Sequence, residues 1–274
     1  MGERDHMTGN MNGLYGSAAQ QKLQAATLAA ADRLRDTPGA VFAARMAGTD
    51  DPDHFGWDRI EQILRDQGAI TFRMTPTEDC PDIESRLAEI GCTISWWDVF
   101  DGPRDSIRAA CDDALGQARD DLVPAAPSGP DDFAFFEKVQ DFIARCGIAP
   151  YPAQVLSGQT GPAALAVLTD PADGAIAATA FAYFPYNAHG PHHATAWAGL
   201  VAVHEDQRKR GIGVRVNALA LRAAVDDLGA ERVQQFARTT NLASCRMIER
   251  CGLRLRRDVR SGIAQPEGAQ SFTR

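Results

Sequence analysis

The chain has 274 residues, a formal charge of −8 and a hydrophobic fraction of 45%. That composition excludes a disordered, collagen-like or coiled-coil protein. The length allows one large domain or two ordinary ones, each with a core that needs no disulfide.

The charge is unevenly spread. Residues 1–130 hold 12 Lys/Arg against 22 Asp/Glu, a net −10, whereas 131–274 hold 16 against 14, a net +2. Such asymmetry points to two units with different partners. The plainer alternative is an acidic surface that keeps the protein soluble. A pI near 5.2 argues against nucleic acid as a partner. The longest weakly polar run, residues 174–186, falls short of the roughly 18–20 residues that a membrane span requires. The first residues lack a signal-peptide core, and six cysteines without a C-x-x-C pair read as reduced, buried thiols. A cytoplasmic location is therefore expected.

In chain order, residues 1–16 read as a flexible leader. Residues 17–36 are Ala-rich with Leu23, Leu28 and Leu34, a helix pattern. Gly39 to Met46 reads as a strand, Trp57 to Arg65 as a helix and Ile70 to Met74 as a strand. Pro81 to Ile90 has Pro and Asp in its first turn and Gly91 as a stop, so it reads as a helix, and Cys92 to Phe100 as a strand. Residues 17–122 are thus expected to form an N-terminal α/β domain. Three prolines, a serine and a glycine make 123–130 an expected linker. Residues 131–274 form the second expected domain. It opens with a helix bearing Phe135, Phe136, Val139, Phe142, Ile143 and Cys146 on one face, closed by Gly147. Ala163 to Leu168 and Ile176 to Phe184 flank a turn at Asp170 to Gly174 and read as a hairpin. Thr195 to Val203 is a third strand.

The informative stretch follows that strand. Arg208-Lys209-Arg210-Gly211-Ile212-Gly213 separates it from a helix that carries Val214, Ala218, Leu221, Val225 and Leu228 on one face. A helix start has unpaired N–H groups and partial positive charge, glycines allow close approach, and three cations add to the attraction. The arrangement suits a diphosphate. A basic helix start without a ligand is the bland alternative. Walker and dinucleotide loops do not fit, because no Lys-Ser/Thr follows the glycines and the residue three beyond Gly213 is Val216. Downstream, Val233 to Arg238 reads as a strand. Asn241 then opens a short helix closed by Gly252-Leu253, and a polar strand follows.

These residues resemble the GNAT acetyltransferase superfamily. Its [Q/R]-x-x-G-x-[G/A] turn matches Arg208 to Gly213, and its Asn-helix-Gly signature matches Asn241, Ser244, Gly252 and Leu253. The likeness covers about 131–274 and implies an α/β (α+β) fold with a mixed, splayed central sheet flanked by helices. It implies acetyl-CoA as cosubstrate, with Val201, Ala202 and Val203 pairing with its pantetheine arm. Arg208, Lys209, Arg210, Gly211, Ile212, Gly213 and Val214 would hold the diphosphate, and Asn241 and Ser244 the arm from the other side. The N-terminal half, with Leu87 to Cys92 echoing Ile248 to Leu253, looks like a degenerate GNAT-like domain.

Two positions depart from the family pattern. A tyrosine acid seven residues after the Asn is replaced by Ile248, and a glutamate base on the strand by Trp197. Candidate substitutes are Ser244 and Cys245, beside Ile248 on the helix, for the departing sulfur, and His192 and His193 as base. Helix packing and a surface loop are their respective bland readings. His189 to His193 lacks a carboxylate or Cys partner at metal-site spacing, so no metal is expected. The expected function is acetyl transfer to a primary amine, either a small molecule or a protein amino group, by a monomer or homodimer. A catalytically silent acyl-CoA-binding sensor is the alternative. If the acidic half walls the substrate side, cationic amines would be favoured.

Overall fold

A computed structural model describes residues 8–9 and 12–269. Residues 1–7 and 10–11 of the expected leader lie outside the described residues, as do 270–274. Thr8–Gly9 (β1) pairs antiparallel with Tyr15–Gly16 (β2), and Leu14 and Tyr15 are buried. Ser17 then starts a helix through a capping box: its side chain accepts from the Gln20 N–H, and the Gln20 side chain accepts from the Ser17 N–H. The expected 17–36 helix is broken at Ala30, where ψ is 1°, into Ala18–Ala29 (α1) and Ala31–Asp36 (α2). The expected strand at 39–46 is instead a hairpin. Ala40–Phe42 (β3) and Ala47–Thr49 (β4) are joined through Ala44 at φ 61°.

Pro52–Phe55 (α3) and Trp57–Gln67 (α4) follow, the latter burying Ile60 and Leu64. Ile70–Pro76 (β5), Cys80–Glu89 (α5) and Cys92–Pro103 (β6) match the expected pattern. The segment after β6, unassigned from sequence, is a helix at Arg104–Gly116 (α6), whose buried stripe is Ile107, Cys111 and Ala114. Val123–Ala125 (β7), within the expected linker, pairs antiparallel with Val167–Thr169. The remaining elements are Phe133–Arg145 (α7), Ala153–Leu156 (α8), Ala163–Thr169 (β8), Ile176–Tyr183 (β9), Thr195–Val203 (β10), a short 3-10 turn at Glu205–Gln207, Ile212–Asp226 (α9), Arg232–Ala237 (β11), Leu242–Arg250 (α10) and Arg254–Pro266 (β12).

Ten strands form one sheet in the order β3-β4-β5-β12-β6-β11-β10-β9-β8-β7. The two halves of the chain interleave: β12 lies antiparallel between β5 and β6, and β6 antiparallel between β12 and β11. The pairing is two-fold symmetric about β6 and β12. Parallel β4–β5 mirrors parallel β10–β11, and α4 and α5 occupy the same places in the chain order as α9 and α10.

The sheet rolls. The Phe42 N–H donates to the Pro185 carbonyl at 2.9 Å, and Val41 bridges to Tyr186, so the β3 edge meets the chain leaving β9. On the outer face, α6, α9 and α10 pack on Phe100, Ala182, Ala196, Ala198 and Val233. The inner face carries Val99 opposite Phe236, and Arg73 and Trp197 reach across to Phe236.

The two parallel pairs differ in spacing. A Cβ on Gly48 would lie 2.4 Å from Thr71 Cγ2, so β4 and β5 are in close backbone contact. In contrast, β10 and β11 pair only at Thr195–Trp197 with Arg232–Gln234 and diverge beyond Trp197. The expected splay of the central sheet is therefore present. Among the described residues no helix is long and apolar enough to cross a membrane.

Candidate functional site: a cleft in the split sheet

The split opens into a cleft of about 720 Å³. Val201, Ala202 and Val203 form one wall, Arg208, Lys209 and Gly211 to Val214 the floor, and Asn241 and Ser244 the other wall. Of the residues the sequence assigns to the cosubstrate, all but Arg210 line this space. Arg210 instead donates to the Gln207 side chain.

The floor is built by the glycine turn. Lys209 sits at φ 62° and Gly211 at φ 81°, which turns the chain sharply into α9. No side chain caps that helix start, so its first N–H groups remain available to an anion. Gly213 serves a different purpose. A Cβ there would stand 3.5 Å from Val203 Cγ2 and 3.6 Å from Met247 Sδ, an ordinary contact that occupies the floor. The glycine keeps that volume free for a ligand. Asn241 is the N-cap of α10, its Oδ1 accepting from the Ser244 N–H at 3.2 Å.

At the top of the split β10 carries a bulge between Gly199 and Ala202. Before it, Ala196 and Ala198 pack toward α9; after it, Val201 and Val203 take that side, and Leu200 and Ala202 turn to the other. One extra residue has reversed the alternation. Leu200 adopts φ 51°, a conformation that costs a non-glycine residue about 1–3 kcal/mol. Leu200 and Val201 have no register partner on either neighbouring strand.

Trp197, the last paired residue before the split, belongs to a buried aromatic group. Its ring lies 5.6 Å from Tyr151, 5.7 Å from Tyr183 and 6.3 Å from Phe236, centroid to centroid. Arg73, from β5, reaches over Phe236 at 4.6 Å and Trp197 at 5.6 Å. Arg45 lies over Tyr151 at 5.3 Å and donates to the Ala149 carbonyl at 3.1 Å. Arg73 is only 6% exposed, and its Nε and one terminal nitrogen have no hydrogen-bond partner. Tyr183 Oη and Trp197 Nε1 are likewise unpaired. A buried unpaired charge costs several kcal/mol, and cation–π contacts return about 0.5–2 each. The arginine is thus imperfectly compensated. Burial pulls the Arg45 guanidinium below its ordinary value, and Arg73 pushes the same way. Burial raises both tyrosines, so neither supplies a negative charge.

The other candidates are scattered. Ser244 lines the cleft and also an adjoining space of about 370 Å³ formed with Trp97, Phe236 and Arg238. Cys245 points into the core, its thiol donating to the Arg238 carbonyl at 3.5 Å and raised in pKa first by burial. Ile248 is 2% exposed and packs in the same core. His192 and His193 lie on the loop entering β10, outside the cleft lining. His193 is exposed, with Nδ1 3.2 Å from the Gly190 carbonyl. His192 is half-buried against Tyr186, ring centroids 5.3 Å apart, and burial lowers its pKa. Tyr186 in turn donates to Gln234, the cross-strand partner of Trp197. Among the described residues no three His, Cys, Asp or Glu side chains gather in a way that could hold a metal ion.

The sequence reading missed Arg45, Arg73, Tyr151 and Tyr183. One signal was there: Arg73 interrupts the apolar run Ile70 to Met74, a charge inside a buried strand.

A splayed parallel pair, a bulged strand and an uncapped glycine helix start define a fold that supports acyl transfer from acyl-CoA. Residues 135–253 match the family model described as Acetyltransferase (GNAT) family, and this part of the chain is a GNAT acetyltransferase domain. Two solved structures share the fold. A GCN5-related N-acetyltransferase from Kribbella flavida has a TM-score of 0.55 and 14% identity, covering 81% of each chain. A Drosophila protein has a TM-score of 0.54 and 14% identity, covering 81% of this chain and 71% of its own. At such identity the likeness is one of fold alone. No curated protein matches the sequence.

Proposed function

We propose that the protein is an N-acetyltransferase that moves an acyl group from acetyl-CoA to a primary amine by direct attack. The observation that carries this reading is the cleft between Val201–Val203 and Asn241–Ser244, floored by the uncapped start of α9. The residues present fit the cosubstrate. Gly213 keeps the floor clear, Arg208 and Lys209 offer charge to a diphosphate, and the free edge of β10 offers backbone groups to an extended arm. The cosubstrate supplies an activated thioester carbonyl.

The amine nitrogen bonds to that carbonyl carbon, the C–S bond breaks, and the electron pair leaves on sulfur. The amides at the bulge stabilise the oxyanion. The amine must first lose a proton, because at neutral pH it is mostly protonated. His192, kept largely neutral by burial, is the candidate base, acting through Tyr186 or water. The Ser244 hydroxyl, on the cleft wall, is the candidate donor to the departing sulfur.

The N-terminal half, residues 17–122, is read as a degenerate second copy joined to 131–274. Its β4–β5 pair stays closed at Gly48, and the turn matching Arg208–Arg210 carries Asp50, Asp51 and Asp53, which would repel a diphosphate. It is read as a wall of the acceptor site.

A silent acyl-CoA sensor is the second reading, favoured by Ile248 buried in the core where the family acid would stand. Calorimetry with CoA and free-thiol release across an amine panel separate the two. Binding with amine-dependent thiol release supports the enzyme, binding without release supports the sensor, and no binding rejects both.

A further inference from the structure

Two arginines from the N-terminal half converge on the top of the split with no counter-ion. Among the described residues neither Arg45 nor Arg73 has a carboxylate within ion-pair distance, although 22 acidic residues precede residue 131. The buried unpaired polar atoms around Trp197 are Arg73 Nε, a terminal nitrogen of Arg73, Tyr183 Oη and Trp197 Nε1. The nitrogens can only donate, and burial beside Tyr151 keeps the Tyr183 hydroxyl neutral. Buried donors without acceptors demand an explanation. A cluster that offers donors, two formal positive charges and flat aromatic walls lacks one thing, a planar anion.

We infer that the cluster of Arg73, Trp197, Tyr183 and Phe236 receives a carboxylate belonging to the amine acceptor. The inference rests on the transferase reading and narrows its substrate to amino acids or related amino carboxylates. The placement suits that role. Trp197 is the last paired residue before the split, and the bulge at Leu200 lies three residues further along the strand. A substrate anchored through its carboxylate beside Trp197 extends its amine toward the bulge. Phe236, whose ring Arg73 covers, also lines the adjoining 370 Å³ space, which offers a way in from solvent. A guanidinium pairs with a carboxylate bidentately, whereas a neutral amide gains no charge assistance. The cationic preference expected from the acidic composition is thereby reversed: the acidic half presents its arginines here.

The test uses the full-length protein saturated with CoA, which permits binding without turnover. Glycine, β-alanine and 4-aminobutyrate are titrated by calorimetry against their carboxamides. Wild type is expected to bind at least one acid about tenfold or more tighter than its amide. Arg73→Gln is expected to level that ratio and leave CoA affinity unchanged. Tyr183→Phe removes only a hydroxyl from a packed ring and keeps the fold; it is expected to lower the ratio severalfold. Equal binding of acids and amides by wild type, or a ratio undiminished in the folded variants, overturns the inference. So does a preference for succinyl-CoA over acetyl-CoA that Arg73→Gln abolishes, since the carboxylate would then belong to the donor. If CoA fails to bind, or no thiol is released, the transferase reading falls, and the acid-to-amide ratio measured without CoA still decides this one.

Discussion

Gly213→Ala separates binding from folding more cleanly than any other change in the cleft. The added methyl would sit 3.5 Å from Val203 Cγ2 and 3.6 Å from Met247 Sδ, so nothing in the protein must move. The position has ordinary helical backbone, and exchanging glycine for alanine favours a helix by up to about 1 kcal/mol. Thermal unfolding should therefore be unchanged or a few degrees higher. The same methyl fills the floor on which a diphosphate would rest and holds it off the amides of the first turn. Losing one or two charge-assisted hydrogen bonds, at about 1.5–3 kcal/mol each, weakens CoA by roughly 10- to 100-fold or more. Gly211→Ala is the poorer probe, because at φ 81° a side chain strains the turn itself. Calorimetry of CoA binding, paired with a melting curve, reads both effects. A Gly213→Ala protein that melts normally and binds CoA with wild-type affinity would refute the diphosphate cradle.

Asn241 supplies a second separation. Asn241→Ala removes the α10 cap and is expected to cost about 1 kcal/mol, whereas Asn241→Asp keeps the cap and puts a negative charge on the cleft wall. The Asp variant should retain stability and bind CoA more weakly than wild type, by a margin that widens as salt is lowered; a margin that does not change with salt would contradict this. Burial pushes the Asp50 carboxyl up to about 6, against about 3.9 when unfolded. The folded state therefore binds the proton more tightly, and ionising it costs stability as pH rises from about 4 to 6. Asp50→Asn is expected to stabilise the protein by up to about 2–3 kcal/mol at pH 8 and by little at pH 4. Urea melts that show the same difference at both pH values would rule that out. His192→Ala is expected to remove the acidic limb of the acetyl-transfer rate, which should lie below the ordinary histidine value because burial lowers it. His193→Ala should leave the profile alone, and an unaltered limb in both variants eliminates the pair as bases.

Local patterns made much of the architecture legible. Thr195–Val203, the α9 stripe and the Asn241 cap are set by periodicity and capping within a few neighbouring residues, and the structure follows them closely. The hairpin at β3–β4 was hidden because its turn runs through Ala44 in a left-handed conformation that no glycine announces. The cleft lining was readable for the same reason as α9: the glycine turn and the Asn helix are short segments with fixed geometry. The aromatic and arginine cluster was not. Arg45, Arg73, Tyr151 and Tyr183 lie on four different segments, and only the rolling of the sheet joins them. No spacing within one segment records that meeting. The interleaving of β6 and β12 escaped for a related reason, since strand order is a property of pairing across the whole chain.

That strand order constrains how the protein can be synthesised and divided. β5 and β6 cannot complete their sheet until residues 254–266 have left the ribosome and inserted between them, so the early half must wait, partly open, for the late one. Such long-range closure slows folding. A cut near 123–130 would yield two pieces that each lack an interior strand. Either piece alone should aggregate through its open edges, and co-expression of the two should recover a soluble heterodimer.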